Sequence, residues 1–168
     1  MIIDAMEFAR AGQVLEGTAV ASTFVRLCEG LPQPQDAQVS WRLAGRCDAG
    51  TGQLWLDVQA QGRVRVVCQR CIEPFGLDLQ VDNTLGLVRN TAELEAMEAL
   101  ETAADDAGPE YLVAERHLDV LALIEDELIL VLPYAPRHAV CPEPSDEPSP
   151  SRQSKPSPFA VLEQLRKH

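Results

Sequence analysis

The chain has 168 residues, an apolar fraction of 46% and a formal net charge of −12. That length suits one domain of moderate size with flexible pieces, and the apolar content is enough for a core. The charge argues against a broad nucleic-acid-binding face, because phosphate contacts need concentrated Lys and Arg, but it leaves room for a small basic patch.

The charge is unevenly spread. Residues 1–92 hold 10 acidic and 8 basic side chains, residues 93–147 hold 15 and 2, and residues 148–168 hold 1 and 4. The middle stretch repels nucleic acid and suits either a basic protein surface or a solvated loop. The cysteines are Cys28, Cys47, Cys68, Cys71 and Cys141. An odd number does not suggest a fully paired secreted framework. Residues 1–7 lack a basic stretch followed by an apolar run, and no stretch approaches the roughly 18 apolar residues of a membrane helix. The expectation is a cytoplasmic protein in a reducing compartment, with no membrane partner.

In chain order, residues 4–12 predict a short helix with Phe8 and Ala5 or Ala9 on one face, ended by Gly12. Val14–Gly17 reads as a short extended piece. Ala21–Leu31 has Phe24, Val25, Leu27 and Cys28 at helical spacing, and Pro32 and Pro34 stop it. Val39, Trp41 and Leu43 then alternate with polar residues. After the turn 47–52, Leu54, Leu56, Val58 and Ala60 do the same. Gly62 marks an expected bulge before Val64 and Val66 continue the register. Phe75, Leu77, Leu79 and Val81 form a third run, extended by Leu85, Leu87 and Val88. Three such runs joined by turns predict an antiparallel meander.

Ala92–Ala104 predicts a helix with Leu94, Met97 and Leu100 on one face, and residues 110–113 a short strand. Leu118–Leu132 is the strongest helical signal, with Asp119 near its positive end and Pro133 as its stop. Glu125, Asp126 and Glu127 interrupt its apolar run and read either as a solvated face or as a protein contact. Residues 142–158 hold six prolines and read as a tether. Beyond it Phe159, Leu162 and Leu165 share one face of a short amphipathic helix, which suits docking on a partner or on its own domain.

The expected fold is therefore α+β: an antiparallel β-sheet, meander or partial barrel, with packed helices and a flexible C-terminal tail. Residues 1–141 form a single domain with an acidic insertion at about 92–110. Residues 142–157 form a Pro/Ser-rich linker, and residues 158–168 a helical tail.

Chemistry centres on Cys68-Gln69-Arg70-Cys71, in the connection between the second and third strands. By parity Cys68 continues the inward face of Val64 and Val66, and Pro74 forbids a ladder hydrogen bond at its own position, so the knuckle is expected on a sheet edge. Zinc needs about four Cys, His or carboxylate ligands. Cys68 and Cys71 supply two, and His138 and Cys141 complete a Cys3His set if the segment after Leu132 returns to the knuckle. A metal-free structural turn is the other reading. A redox CxxC normally opens a helix, where the dipole acidifies a thiol, and none is expected here. Arg63 and Arg65 share a strand face, with Arg70 on the knuckle and Arg42 or Arg46 joining from the first strand. They read as a solvent face or as a phosphate-contact patch. No Ser-His-Asp set and no phosphate-cradling glycine loop is evident, so no catalytic residue is assigned.

Three pieces in order carry a resemblance. They are the Cys68–Cys71 knuckle, the run Leu121–Pro133 with Glu125-Asp126-Glu127-Leu128-Ile129-Leu130 at its centre, and the tail Pro158-Phe159-Ala160-Val161-Leu162. Together they resemble the YceD family of large ribosomal RNA subunit accumulation proteins. The resemblance implies a non-enzymatic factor for synthesis, processing or stability of large-subunit ribosomal RNA. The implied partner is that RNA, through Arg42, Arg63, Arg65 and Arg70, or a ribosomal or pre-ribosomal protein, through the acidic residues 93–127. DNA is not an expected partner. Many relatives carry further cysteines after the Leu-Pro motif, whereas this chain keeps Cys141 with His138 nearby. Alternatives from other classes are a metal-dependent or thiol redox enzyme centred on the CxxC and a purely protein-binding adaptor.

Overall fold

A computed structural model describes residues 1–101 and 109–141. The elements are β1 (Ile2–Ile3), α1 (Ala5–Arg10), β2 (Val14–Val20), β3 (Gln38–Cys47), β4 (Leu54–Val67), β5 (Pro74–Val88), α2 (Thr91–Glu101), β6 (Glu110–Val113), β7 (Leu118–Asp119) and α3 (Val120–Val131). The expected linker and tail, with Phe159, Leu162 and Leu165, lie outside the described residues.

The period-2 pattern works as anticipated. Val39, Trp41 and Leu43 of β3, Leu54 through Ala60 at alternate positions of β4, then Val64 and Val66, and Leu79 and Val81 of β5 are buried on one face. Helix α1 packs on β3 and β4, and α3 on β4 and β5, so both helices join the sheet in one core. Each fully buried Leu or Val there contributes about 1.5–3 kcal/mol. Helix α1 can lie close to β3 because Gly45 faces it. A Cβ at that position would stand 2.6 Å from the Ala9 Cα.

The sheet order is β2-β3-β4-β5-β6, and a separate ribbon pairs β1 with β7. Strands β2 to β5 are antiparallel, but β6 runs parallel to β5, so the sheet is mixed and open, neither a pure antiparallel meander nor a barrel. The parallel pairing follows from the connection. Helix α2 lies in the connection from β5 to β6, and a parallel pair needs a crossover connection, which a tight hairpin turn cannot supply.

Three local expectations are sharpened or overturned. There is no bulge at Gly62, which pairs in register with Leu79. The glycine is needed for space instead, because a Cβ would approach Val39 Cγ2 to 2.6 Å. The CxxC lies past the shared sheet, where β4 and β5 continue as a two-stranded ribbon with no further strand on either side among the described residues. It caps the hairpin of β4 and β5, with Pro74 as the first residue of β5, a position that tolerates the missing N–H.

The third is the expected helix 21–31, which is a single 3-10 turn at Ala21–Thr23 followed by irregular turns. The competing interaction comes from α3. Oε1 of Glu125 accepts the backbone N–H groups of Arg26 at 2.6 Å and Leu27 at 3.2 Å. In a helix those donors would have bonded to the preceding turn. The Arg26 side chain completes the link, donating to Glu125 Oε2 at 2.9 Å, Asp126 Oδ1 at 2.6 Å and the Ala122 carbonyl at 3.3 Å.

Glu125 and Glu127 are thus not a solvated or free contact face. Both are buried, and only Asp126 is exposed. Glu127 accepts from Asn83 Nδ2 at 3.0 Å, and the same amide donates to Glu110 at 2.8 Å. Burial pushes the Glu127 carboxyl up, the Asn83 bond opposes this, and the nearby Glu110 and Asp126 charges add to the rise.

Two outcomes follow from these acids. Glu125→Ala strands two backbone donors and a guanidinium, and should cost about 3 kcal/mol in denaturant unfolding. Asp126→Ala, at an exposed ion pair, should cost under about 1 kcal/mol. For Glu127 the folded carboxyl holds its proton more tightly than the unfolded one. Its destabilising contribution is therefore full above the folded pKa and fades as pH falls through the carboxylate range. Glu127→Gln should raise the unfolding midpoint at pH 7, and that gain should shrink on acidification. An equal gain at every pH would show that the charge is not the cause.

Candidate metal centre

The β4–β5 hairpin ends in a tight knuckle. Cys68 N–H donates to the Glu73 carbonyl and Ile72 N–H to the Cys68 carbonyl, each at 2.9 Å. This turn holds Ile72 at φ 64, a left-handed conformation rarely adopted by a β-branched residue. Cys68 is fully buried beneath it, on the inward face that its parity with Val64 and Val66 predicts.

After α3, Leu132 leaves the helix in an extended conformation, and Pro133 has no N–H with which to continue it. The chain then returns to the knuckle, where Gln69 N–H donates to the Pro136 carbonyl at 2.9 Å. His138 lies against Phe75, with ring centroids 4.3 Å apart, which fixes the imidazole. Its Nδ1 is 3.3 Å from Cys71 Sγ, and Cys141 Sγ is 3.7 Å from Cys68 Sγ.

These four side chains form a cluster that could hold a metal ion, with donor atoms all within 4.8 Å of one another. A tetrahedral shell with metal–sulfur bonds of about 2.3 Å has sulfur–sulfur edges of roughly 3.8 Å, and edges to nitrogen are slightly shorter. The observed 3.7 Å and 3.3 Å contacts match those two edges. All remaining donor pairs lie within 4.8 Å, so the set is close to a tetrahedral shell and would have to draw in by at most about 1 Å around an ion.

The thiols are unequal. Burial pushes Cys68 up, but the backbone N–H groups of Cys71, His138 and Arg70 and the Cys71 thiol outweigh it, leaving Cys68 down at about 5. Burial and the neighbouring Cys68 and Cys71 sulfurs push Cys141 up to about 11. Three sulfurs crowded together cannot all ionise unaided, and a bound cation reverses that repulsion. Cys28 and Cys47 stay outside the cluster. Cys28 lies against the Ala21 carbonyl at 3.2 Å, and Cys47 is exposed at the end of β3.

The four arginines do not act as one group. Arg42 is held by Glu16 at 2.9 Å and Arg63 by Asp78 at 3.5 Å, both on the polar face of the sheet. Arg65 and Arg70 are exposed and have no ion pair among the described residues. Sequence reasoning did not single out Arg137 and Tyr134, both exposed on the returning segment. It also missed Gln35, whose buried side chain donates to the Arg65 carbonyl at 2.8 Å and accepts the Arg65 N–H at 2.9 Å.

Residues 56–166 match the family described as "Large ribosomal RNA subunit accumulation protein YceD". The matched span contains the whole cluster. A protein of that name from Haemophilus influenzae is 31% identical over 126 residues, covering 68% of this chain and 63% of the relative's length. No solved structure matches the chain. With its knuckle, its returning segment and the helix between them all inside the match, the chain belongs to the YceD family.

Proposed function

We propose that this chain supports accumulation of large-subunit ribosomal RNA in the cytoplasm as a binding protein, with no chemical step of its own. On this reading zinc, held by Cys68, Cys71, His138 and Cys141, is a structural element. The description of the family and of the Haemophilus influenzae relative supports the ribosomal RNA role. The observation that carries the non-catalytic reading is the completeness of the donor set. Four protein ligands fill a tetrahedral shell, whereas a catalytic zinc keeps a position open for water or substrate.

A thiol redox enzyme is the competing use of the same residues. The low Cys68 thiol would suit it, but a thiolate is equally what a metal requires. The CxxC is followed by a turn and by β5, so among the described residues it does not open a helix, as a redox CxxC normally does.

Two experiments test the proposal. Purified chain should carry one equivalent of zinc, and cobalt substitution should give the visible spectrum of a tetrahedral thiolate site. At free zinc 100 times its dissociation constant the folded state should gain about 2.7 kcal/mol, and Cys141→Ser should remove most of that gain. Zinc-independent unfolding with rapid disulfide exchange would favour the redox reading. For the partner, crosslinking in cells with joint recovery of RNA and protein should return large-subunit ribosomal RNA, and depletion of the chain should lower its amount. Unchanged ribosomal RNA on depletion would overturn the proposed role.

A further inference from the structure

We propose that the knuckle and the segment 133–141 together form a binding site for single-stranded RNA, with Tyr134 stacking on a base and Arg70 and Arg137 holding the adjoining phosphates. This rests on the ribosomal RNA reading above and gives it a surface.

The first observation is charge segregation. The chain as a whole carries −12, yet residues 62–72 hold three arginines and residues 128–141 hold one, with no acid in either stretch. The Gln69–Pro136 backbone bond and the four-donor cluster bring these two stretches together. Arg70 and Arg137 each directly follow a residue of that bond, both are exposed, and neither has an ion pair among the described residues. Glu73 is the acid of the hairpin loop. A loaded three-thiolate cluster adds one more negative charge, and Arg65, Arg70 and Arg137 together exceed the two by one.

The second observation is the exposed apolar surface carried by the same two stretches. Tyr134 is 103% exposed, Val140 85% and Ile72 70%. Tyr134 lies on the segment that carries Arg137 and meets the Arg70 knuckle through the Gln69–Pro136 bond, and an exposed ring with cations on the same surface is the combination that single-stranded nucleic acid uses. Bases stack on the ring, and the backbone runs along the charges. A duplex hides its base faces, so the free ring selects unpaired nucleotides. A basic protein would be repelled from this tip and drawn to acidic surface elsewhere on the chain.

The competing role for the arginines is to balance the cluster itself. Three thiolates on a divalent ion leave one net negative charge, which nearby guanidinium groups offset. That role predicts an effect on metal affinity and none on RNA.

The test uses zinc-loaded full-length chain, a short fluorescein-labelled polyuridine strand and a duplex of the same length. The single strand should bind better than the duplex. Tyr134→Ala, at a fully exposed position, should weaken single-strand binding by about tenfold. The double variant Arg70→Ala with Arg137→Ala should flatten the logarithmic salt slope by roughly 1.4. Both variants should keep the cobalt spectrum and unfolding midpoint of the parent. Unchanged affinity in both variants overturns the proposal, as does loss of metal binding with RNA affinity intact. Failure of the parent to bind the strand, with crosslinks to protein alone in cells, also overturns it. In that case lower ribosomal RNA on depletion would leave the broader reading standing. Tyrosine-dependent RNA binding with no change in ribosomal RNA on depletion would support this site and sink the broader reading instead.

Discussion

The structure depends on a hairpin that outruns its sheet. Strands β4 and β5 pair from Trp55 opposite Gly86 to Val67 opposite Pro74. Strand β3 supports β4 only as far as Gln61, and β6 supports β5 only from Leu85 onward. Beyond Gln61 the hairpin is a two-stranded ribbon, which is marginal in water without lateral support. The chain supplies that support with irregular segments rather than strands. On the β4 edge, the Gln35 amide bonds both to the Arg65 N–H and to its carbonyl, as a neighbouring strand residue would. At the tip, segment 133–141 bonds to Gln69, places His138 on Phe75 and brings two more metal donors to the CxxC. The cluster thus sits where the fold has least sheet to hold it.

A similar substitution of side chain for backbone explains the buried acids. Glu125 lies on an otherwise apolar helix face yet costs little, because it accepts two backbone N–H groups and a guanidinium from residues 26 and 27. A buried carboxylate is tolerated when its oxygens are bonded to donors in this way. The loop 24–31 in turn is kept out of helix by the same oxygens. Helix α3 therefore anchors the loop at its middle and launches the returning segment from its end. One helix positions both irregular pieces that border the overhanging hairpin.

This division marks what the sequence could and could not reveal. The β-strands were legible because burial on one face imposes a period of two, and Cys68 was placed inward by that parity alone. The Cys3His set was legible as a condition, since proximity of His138 and Cys141 depended on a chain reversal after Pro133 that no local pattern encodes. Glu125 and Glu127 were misread because charge patterning assumes that acids are solvated, and their partners Arg26 and Asn83 are far away in sequence. Strand β6 was legible at residues 110–113, but its parallel direction was not, because four residues carry too little periodicity to fix one. Gly62 was read as a bulge when its role is close approach to Val39, a contact invisible without the third dimension.

The arginines make the functional consequence clear. Read along the chain, Arg42, Arg63, Arg65 and Arg70 looked like one basic patch, but two of them are held by Glu16 and Asp78 across neighbouring strands. Such exposed pairs contribute little to stability, yet they cancel the field that a phosphate would feel. What remains is positive charge at the knuckle, joined there by Arg137 from the other end of the domain. On the proposed reading, metal and ligand recognition are then physically coupled. The donors that close the cluster lie on the two segments that carry Arg70, Arg137 and Tyr134, so an ion binding between them would also fix the spacing of the recognition groups. A chain of net −12 can in this way present a small cationic, aromatic surface without any broad basic face.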